Sequence, residues 1–156
     1  MNDVGIEKAS LPLVLGYKHS DLLNRFASKY HFSLEESETI FNDVKTWLYL
    51  VGTRTPDAPP LVILPAMDVV DDLWHEFILY TTDYAEFCHN HFGHFIHHEP
   101  TRDAERDELR SQREHDPVGF RSKKRKELEE FIGYVHDKLG SDTCLRWFSG
   151  VLGKSV

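Results

Sequence analysis

The 156-residue sequence has only two cysteines, Cys88 and Cys144. Two thiols make a poor disulfide framework, so a reduced, cytoplasmic protein is expected. No apolar run approaches the roughly 18 residues that a membrane span needs. The opening MNDVGIEKASLPLVLG lacks the basic leader of a secretory signal. There is no phosphate-cradling glycine loop and no GxSxG. The zinc-protease pattern HExxH fails too, because Leu79 stands where its second histidine should be.

The most telling absence is local. Between Arg54 and Arg102 there is no lysine or arginine, and eight acids lie in that span. The remaining 18 acids balance the 18 basic residues, so the net charge of −8 sits there. An acidic surface repels phosphate backbones and attracts cations, which speaks against a nucleic-acid binder. The basic run RSKKRK at 121–126 lacks interleaved aromatics and reads as a solvated helix face.

Within the acidic span, the stretch Trp74–Pro100 holds six of the ten histidines. With 40% hydrophobic and 28% charged residues the chain is otherwise an ordinary globular sequence. Periodicity predicts an all-α fold, one compact domain over 1–156 with five to six helices. The first runs over 20–30 from an N-cap at Ser20. Ser33 and Glu36 form a capping box for the second, whose apolar positions run from Ile40 to Val51 at helical spacing. TRTPDAPP at 53–60 reads as a loop and LVIL at 61–64 as a short, buried, extended piece.

The third helix is expected over about 68–81, with Val69, Val70, Leu73, Trp74, Phe77 and Ile78 as its buried stripe. The fourth ends at Phe92 before Gly93 and gathers Tyr84, Phe87, Cys88, His91 and Phe92 on one face. Of the 30 residues from Thr101 to Glu130, 18 are charged, in equal numbers of each sign. Residues 101–121 read as an exposed charged helix or a mobile excursion, broken by Pro117 and Gly119. A fifth helix follows over 122–139, then a short one from Ser141 or Asp142. Trp47, Trp74 and Trp147 are candidate core anchors.

On the third helix Asp71 and His75 are four residues apart, one turn above the other at the edge of the apolar stripe. A carboxylate there can orient the imidazole or share a metal with it. His97 lies nine residues after Cys88, beyond the glycine turn, so a returning segment could bring both to Asp71 and His75. Zinc accepts all four of these ligand types. His89, His94 and His115 read as surface residues and His91 as packing.

VDDLWHEFIL, Tyr84, Cys88, Gly93 and the closing His97 or His98 together resemble the core of the glycine-rich-domain-containing-protein-like family. That resemblance implies that Asp71, Trp74, His75, Tyr84, Cys88 and His97 form one unit, and supplies no reaction. The expectation is a transition-metal site, zinc first, with Asp71, His75, Cys88 and His97 as ligands. Two alternatives stand beside it. One is a metal-free module whose acidic surface docks a basic protein. The other is a two-histidine, one-carboxylate iron site with Cys88 as bystander. No separate general base is identified, so no enzyme activity is assigned.

Overall fold

In a computed structural model the described residues, 10–152, are all-helical. They form eight α-helices: α1 (Leu11–Leu15), α2 (Ser20–Tyr30), α3 (Leu34–Gly52), α4 (Asp68–Leu79), α5 (Thr81–Phe92), α6 (Asp103–His115), α7 (Pro117–Leu139) and α8 (Ser141–Leu152). None is long and apolar enough to cross a membrane. The helices fall into two compact units. One is the chain through Thr55 with Leu64–Ile96; the other is Pro56–Ile63 with the chain from His97 onward.

The first unit packs α3 against α1, α2, α4 and α5, with α4 also against α2 and α5. Each start has a local cause. Ser10 caps α1, where Pro12 stands in the first turn. Ser33 caps α3 by accepting from the Glu36 amide at 3.0 Å. For α2 the cap is His19, not Ser20: its Nδ1 accepts from the Leu22 amide at 3.1 Å. A 3-10 turn at Pro65–Met67 leads into α4. The centre of this unit is Phe77, fully buried, with ring centroids 5.1–5.7 Å from Tyr17, Phe41, Tyr84 and Phe87.

Lys45 on α3 is 1% exposed, among these aromatics. Its ammonium donates to the Leu15 carbonyl at 2.7 Å and the Tyr17 carbonyl at 2.9 Å, and lies over the Phe41 ring. The first carbonyl belongs to the last turn of α1, where a helix presents partial negative charge. Glu76 on α4 is the buried counterpart. Lys29 donates to its Oε1, and Arg25 Nε is 3.2 Å from its Oε2.

In the second unit α7 packs against both α6 and α8. Phe131 and Val135 of α7 are fully buried, with Phe148 of α8 set edge-on to Phe131. Several expectations are corrected. The eight helices exceed the five or six expected, because α1 was missed and, of the two readings of the charged segment, the exposed helix is the one adopted. Residues 103–115 form α6, a helix with no buried residue. It is held by local pairs such as Gln112 donating to Glu108 at 3.0 Å. Pro117 and Gly119 do not break a helix; they begin one. Pro117 occupies the first turn of α7, and the Asp116 carboxylate accepts from the Gly119 amide at 3.0 Å. A Cβ at Gly119 would meet that carboxylate at 2.1 Å, so the cap needs the glycine. Residues 61–64 are not buried as expected: they have no regular structure, three are half-buried and Ile63 is exposed. The three tryptophans are buried as expected.

Burial, and then the nearby charge of Lys18, lower the Lys45 pKa from 10.5 to about 8. Between those two values the unfolded chain holds the proton and the folded chain gives it up. Stability from this group therefore rises with pH across that window. The shift corresponds to on the order of 3 kcal/mol. Chemical denaturation of the wild type and Lys45→Met from pH 7.5 to 10.5 should show the wild type gaining stability relative to the variant. Parallel curves would mean that the fold does not lower the Lys45 pKa.

Candidate metal centre

α4 carries two acids in its first turn, Asp68 and Asp71, where the helix N-terminus favours negative charge. One turn later His75 stands over Asp71. Its Nδ1 donates to the Asp71 carbonyl at 2.7 Å and lies 3.3 Å from Asp71 Oδ2. A carbonyl only accepts, so Nδ1 bears the hydrogen and, in the neutral ring, Nε2 carries the lone pair. The sequence suggested that the Asp71 carboxylate orients this imidazole; the nearer acceptor is the Asp71 backbone carbonyl, with the carboxylate oxygen at 3.3 Å. The imidazole is more than half exposed and the Asp71 carboxylate about one-third.

α5 brings Tyr84 and Cys88 into the core, both fully buried. Gly93 ends the helix with φ 76°, a left-handed turn suited to glycine. The chain then runs back as a strap without regular structure. Ile96 is the strap's anchor. Its side chain is buried, and its carbonyl accepts from the Tyr84 hydroxyl. The same hydroxyl accepts from Trp74 Nε1 at 3.1 Å. The Ile96 backbone and Tyr84 are also the hydrogen-bonding partners of the Cys88 thiol, whose pKa burial pushes up. His98 follows Ile96 by two residues, so the chain itself keeps it within about 7 Å of the pinned carbonyl.

One side-chain ligand atom from each of Asp71, His75 and His98 lies within 4.8 Å of the other two. The expected set therefore divides. Asp71 and His75 come together, and the histidine that joins them is His98. His97 is exposed and outside the group, as is Cys88. The buried thiol of Cys88 is occupied by Tyr84 and Ile96. Phase along a helix places a residue on a face; it does not say which of two successive histidines on an irregular strap turns inward.

The other histidines fall where the sequence put them. His89 and His94 are exposed, and His91 packs on Phe87 with ring centroids 4.8 Å apart. One arrangement was not foreseen. His19 Nε2 donates to Asp83 at 2.8 Å while Nδ1 caps α2, so both ring nitrogens are used in structure. Its only sequence signal is a polar residue just before the α2 pattern, a position usually filled by serine or aspartate. Glu76 is buried on α4, where Arg25 and Lys29 hold it. Their i,i+4 spacing on α2 was the available clue. With Glu76 and Asp83 both engaged internally, less of the acidic span faces a partner than its composition suggests.

Comparison with known proteins gives a family and no nearer relative. No curated protein and no solved structure matches the chain. Residues 14–124 match the family described as UCP032817-like. That match replaces the resemblance to the glycine-rich-domain-containing-protein-like family, to which nothing points. The matched span takes in α2 to α6, Asp71, His75 and His98, and on that extent the chain belongs to the UCP032817-like family.

Proposed function

We propose that this protein binds one divalent transition-metal ion through Asp71, His75 and His98. The observation that carries the reading is the convergence of their ligand atoms within 4.8 Å. A tetrahedral shell with bonds near 2.1 Å separates its ligands by roughly 3.4 Å. Side-chain rotation of about 1 Å would close the difference. The His75 tautomer supports the reading, since Nδ1–H is anchored and Nε2 is the atom that can coordinate. Three protein ligands and an exposed imidazole leave a coordination position for water or another small ligand, unlike a closed structural site. Zinc fits such a set. So does ferrous iron, which two histidines and a carboxylate hold in many sites. Without Cys88, no soft ligand favours zinc over iron. When bound, either metal could acidify a coordinated water. No residue here is assigned to carry a reaction further, so the proposal is one of binding.

Metal analysis of protein purified without a histidine tag tests it, with reconstitution by zinc and by anaerobic ferrous iron. Near one equivalent is expected in the wild type and in Cys88→Ser. His75→Ala and His98→Ala should each lose far more than the roughly 10–100-fold in affinity that an outer partner is worth. A wild type that retains neither metal would sink the proposal. Retention in His98→Ala with loss in His97→Ala would move the ligand by one residue.

Coordinated histidine must be deprotonated, so acid should release the ion. In a titration from pH 8 to pH 5, bound metal should fall as the imidazoles take up protons, while His75→Ala shows no metal to release. A metal content unchanged down to pH 5 would contradict histidine ligation.

A further inference from the structure

We infer that the α6–α7 hairpin is a binding surface for the phosphate backbone of a nucleic acid. The surface lies wholly within the second unit and is independent of the metal site.

From Leu109 to Lys126 the chain carries seven cations against two acids, Glu114 and Asp116. The turn at Asp116 brings the cations together. α6 ends there, α7 begins there, and the two helices pack on each other. At 1.5 Å per residue, Arg110 is about 9 Å from the turn along α6, and Lys126 about 15 Å from it along α7. Spacing alone makes the run at 121–126 a solvated helix face. The fold adds Arg110 and Arg113 to the same end of the hairpin.

All seven cations are exposed. Lys124 and Lys126 pair with Glu127 and Glu130 at 3.3 and 4.0 Å. Among the described residues, Arg110, Arg113, Arg121, Lys123 and Arg125 have no carboxylate within 4.0 Å. These five charges are therefore not spent on the fold. On α6 the arginines also line up. Arg102, Arg106, Arg110 and Arg113 fall within about 80° of arc at 3.6 residues per turn.

The rest of the surface separates a nucleic acid from other anions. A protein interface has an apolar centre, and a helix lying on a membrane needs an apolar face. On this hairpin the exposed large apolar side chains are Leu109 and Val118 alone. Contacts to a phosphate backbone need no apolar centre. They are polar and wet, and the guanidinium fork matches phosphate oxygens two at a time. Phe120 is the one Phe, Tyr or Trp between Thr101 and Lys126, and it is half-buried with the Lys124 ammonium over its ring. No ring is thus offered for bases to stack on, so a duplex, with its denser charge, is favoured over a single strand. Binding is to the backbone and independent of base sequence. The net charge of −8 belongs to the span between Arg54 and Arg102, not to this segment.

The experiment is fluorescence anisotropy with the full chain and labelled duplexes of about 20 base pairs, one of DNA and one of RNA. A labelled single strand and phosphatidylserine vesicles are run beside them. EDTA is present throughout, so no metal can bridge protein and phosphate. About five phosphate contacts should lower the duplex affinity roughly 500-fold between 50 and 200 mM salt. The variant Arg110→Gln/Arg113→Gln/Arg121→Gln/Lys123→Gln/Arg125→Gln, changed only at exposed positions, should melt like the wild type and bind at least about 100-fold more weakly at 50 mM salt. Arg113→Gln alone should reduce the slope of log affinity against log salt by about one, and it carries the test if the fivefold variant does not fold. Lys18→Gln, at an exposed site outside the hairpin, should match the wild type. No duplex binding by the wild type at 50 mM salt would overturn the inference. So would wild-type affinity in the fivefold variant, or a single strand bound more tightly than a duplex. Capture of the vesicles without binding of either duplex would overturn it in favour of a membrane surface.

Discussion

Phe77 is the side chain on which the first unit is assembled. Its ring meets Tyr17 from the α1–α2 connection, Phe41 from α3, and Tyr84 and Phe87 from α5. Aromatic rings at these separations prefer edge-on and tilted contacts, which fix orientation as well as distance. α4 therefore sits at one rotation about its own axis. That rotation turns Trp74 inward to Tyr84 and leaves Asp71 and His75 at the rim, half in water. The metal site proposed at this edge calls for that division, because its ligands would be held by the interior without being sealed in it.

Lys45, Glu76 and His19 of this unit are each met by polar partners in their own way. Lys45 is met by two carbonyls and an aromatic face, with no carboxylate bonded to it. Glu76 is met by two half-exposed cations that keep part of their own hydration. His19 uses one nitrogen for a helix cap and the other for Asp83. Burying such groups is costly unless their hydrogen bonds are made, and leaving one without its partners costs more than either apolar replacement. These contacts specify how α1, α2 and α4 lie on α3 more than they add stability.

Much of the fold was legible because helical periodicity is strong where helices bury a stripe. α3, α4 and α5 were visible from their apolar spacing, and the Ser33 cap and Gly93 stop from their chemistry. α6 was legible only as one of two readings, an exposed charged helix or a mobile excursion, because it buries nothing and no stripe marks it; its helicity comes from local charge pairs and from the caps at its ends. Pro117 and Gly119 misled because both residues break a helix interior yet suit a first turn beside a capping aspartate. In the site, Asp71 and His75 could be read because one helix sets their geometry. The choice between His97 and His98 could not, since an irregular strap has no period, and Cys88 was named for its residue type, its thiol being bonded to Ile96 and Tyr84. Lys45, Glu76 and His19 were missed because a charged residue on an apolar face is ordinarily at the surface.

The polar contacts of the first unit join distant parts of the chain. Lys45 reaches back 30 residues to Leu15, Lys29 forward 47 to Glu76, and His19 forward 64 to Asp83. Closing each loop costs entropy before any bond is gained, whereas α6 on α7 and α7 on α8 are packings of helices adjacent in sequence. The helical hairpins of the second unit can therefore zip early from local contacts. Asp71 and His75 acquire their final surroundings only when the long loops of the first unit have closed.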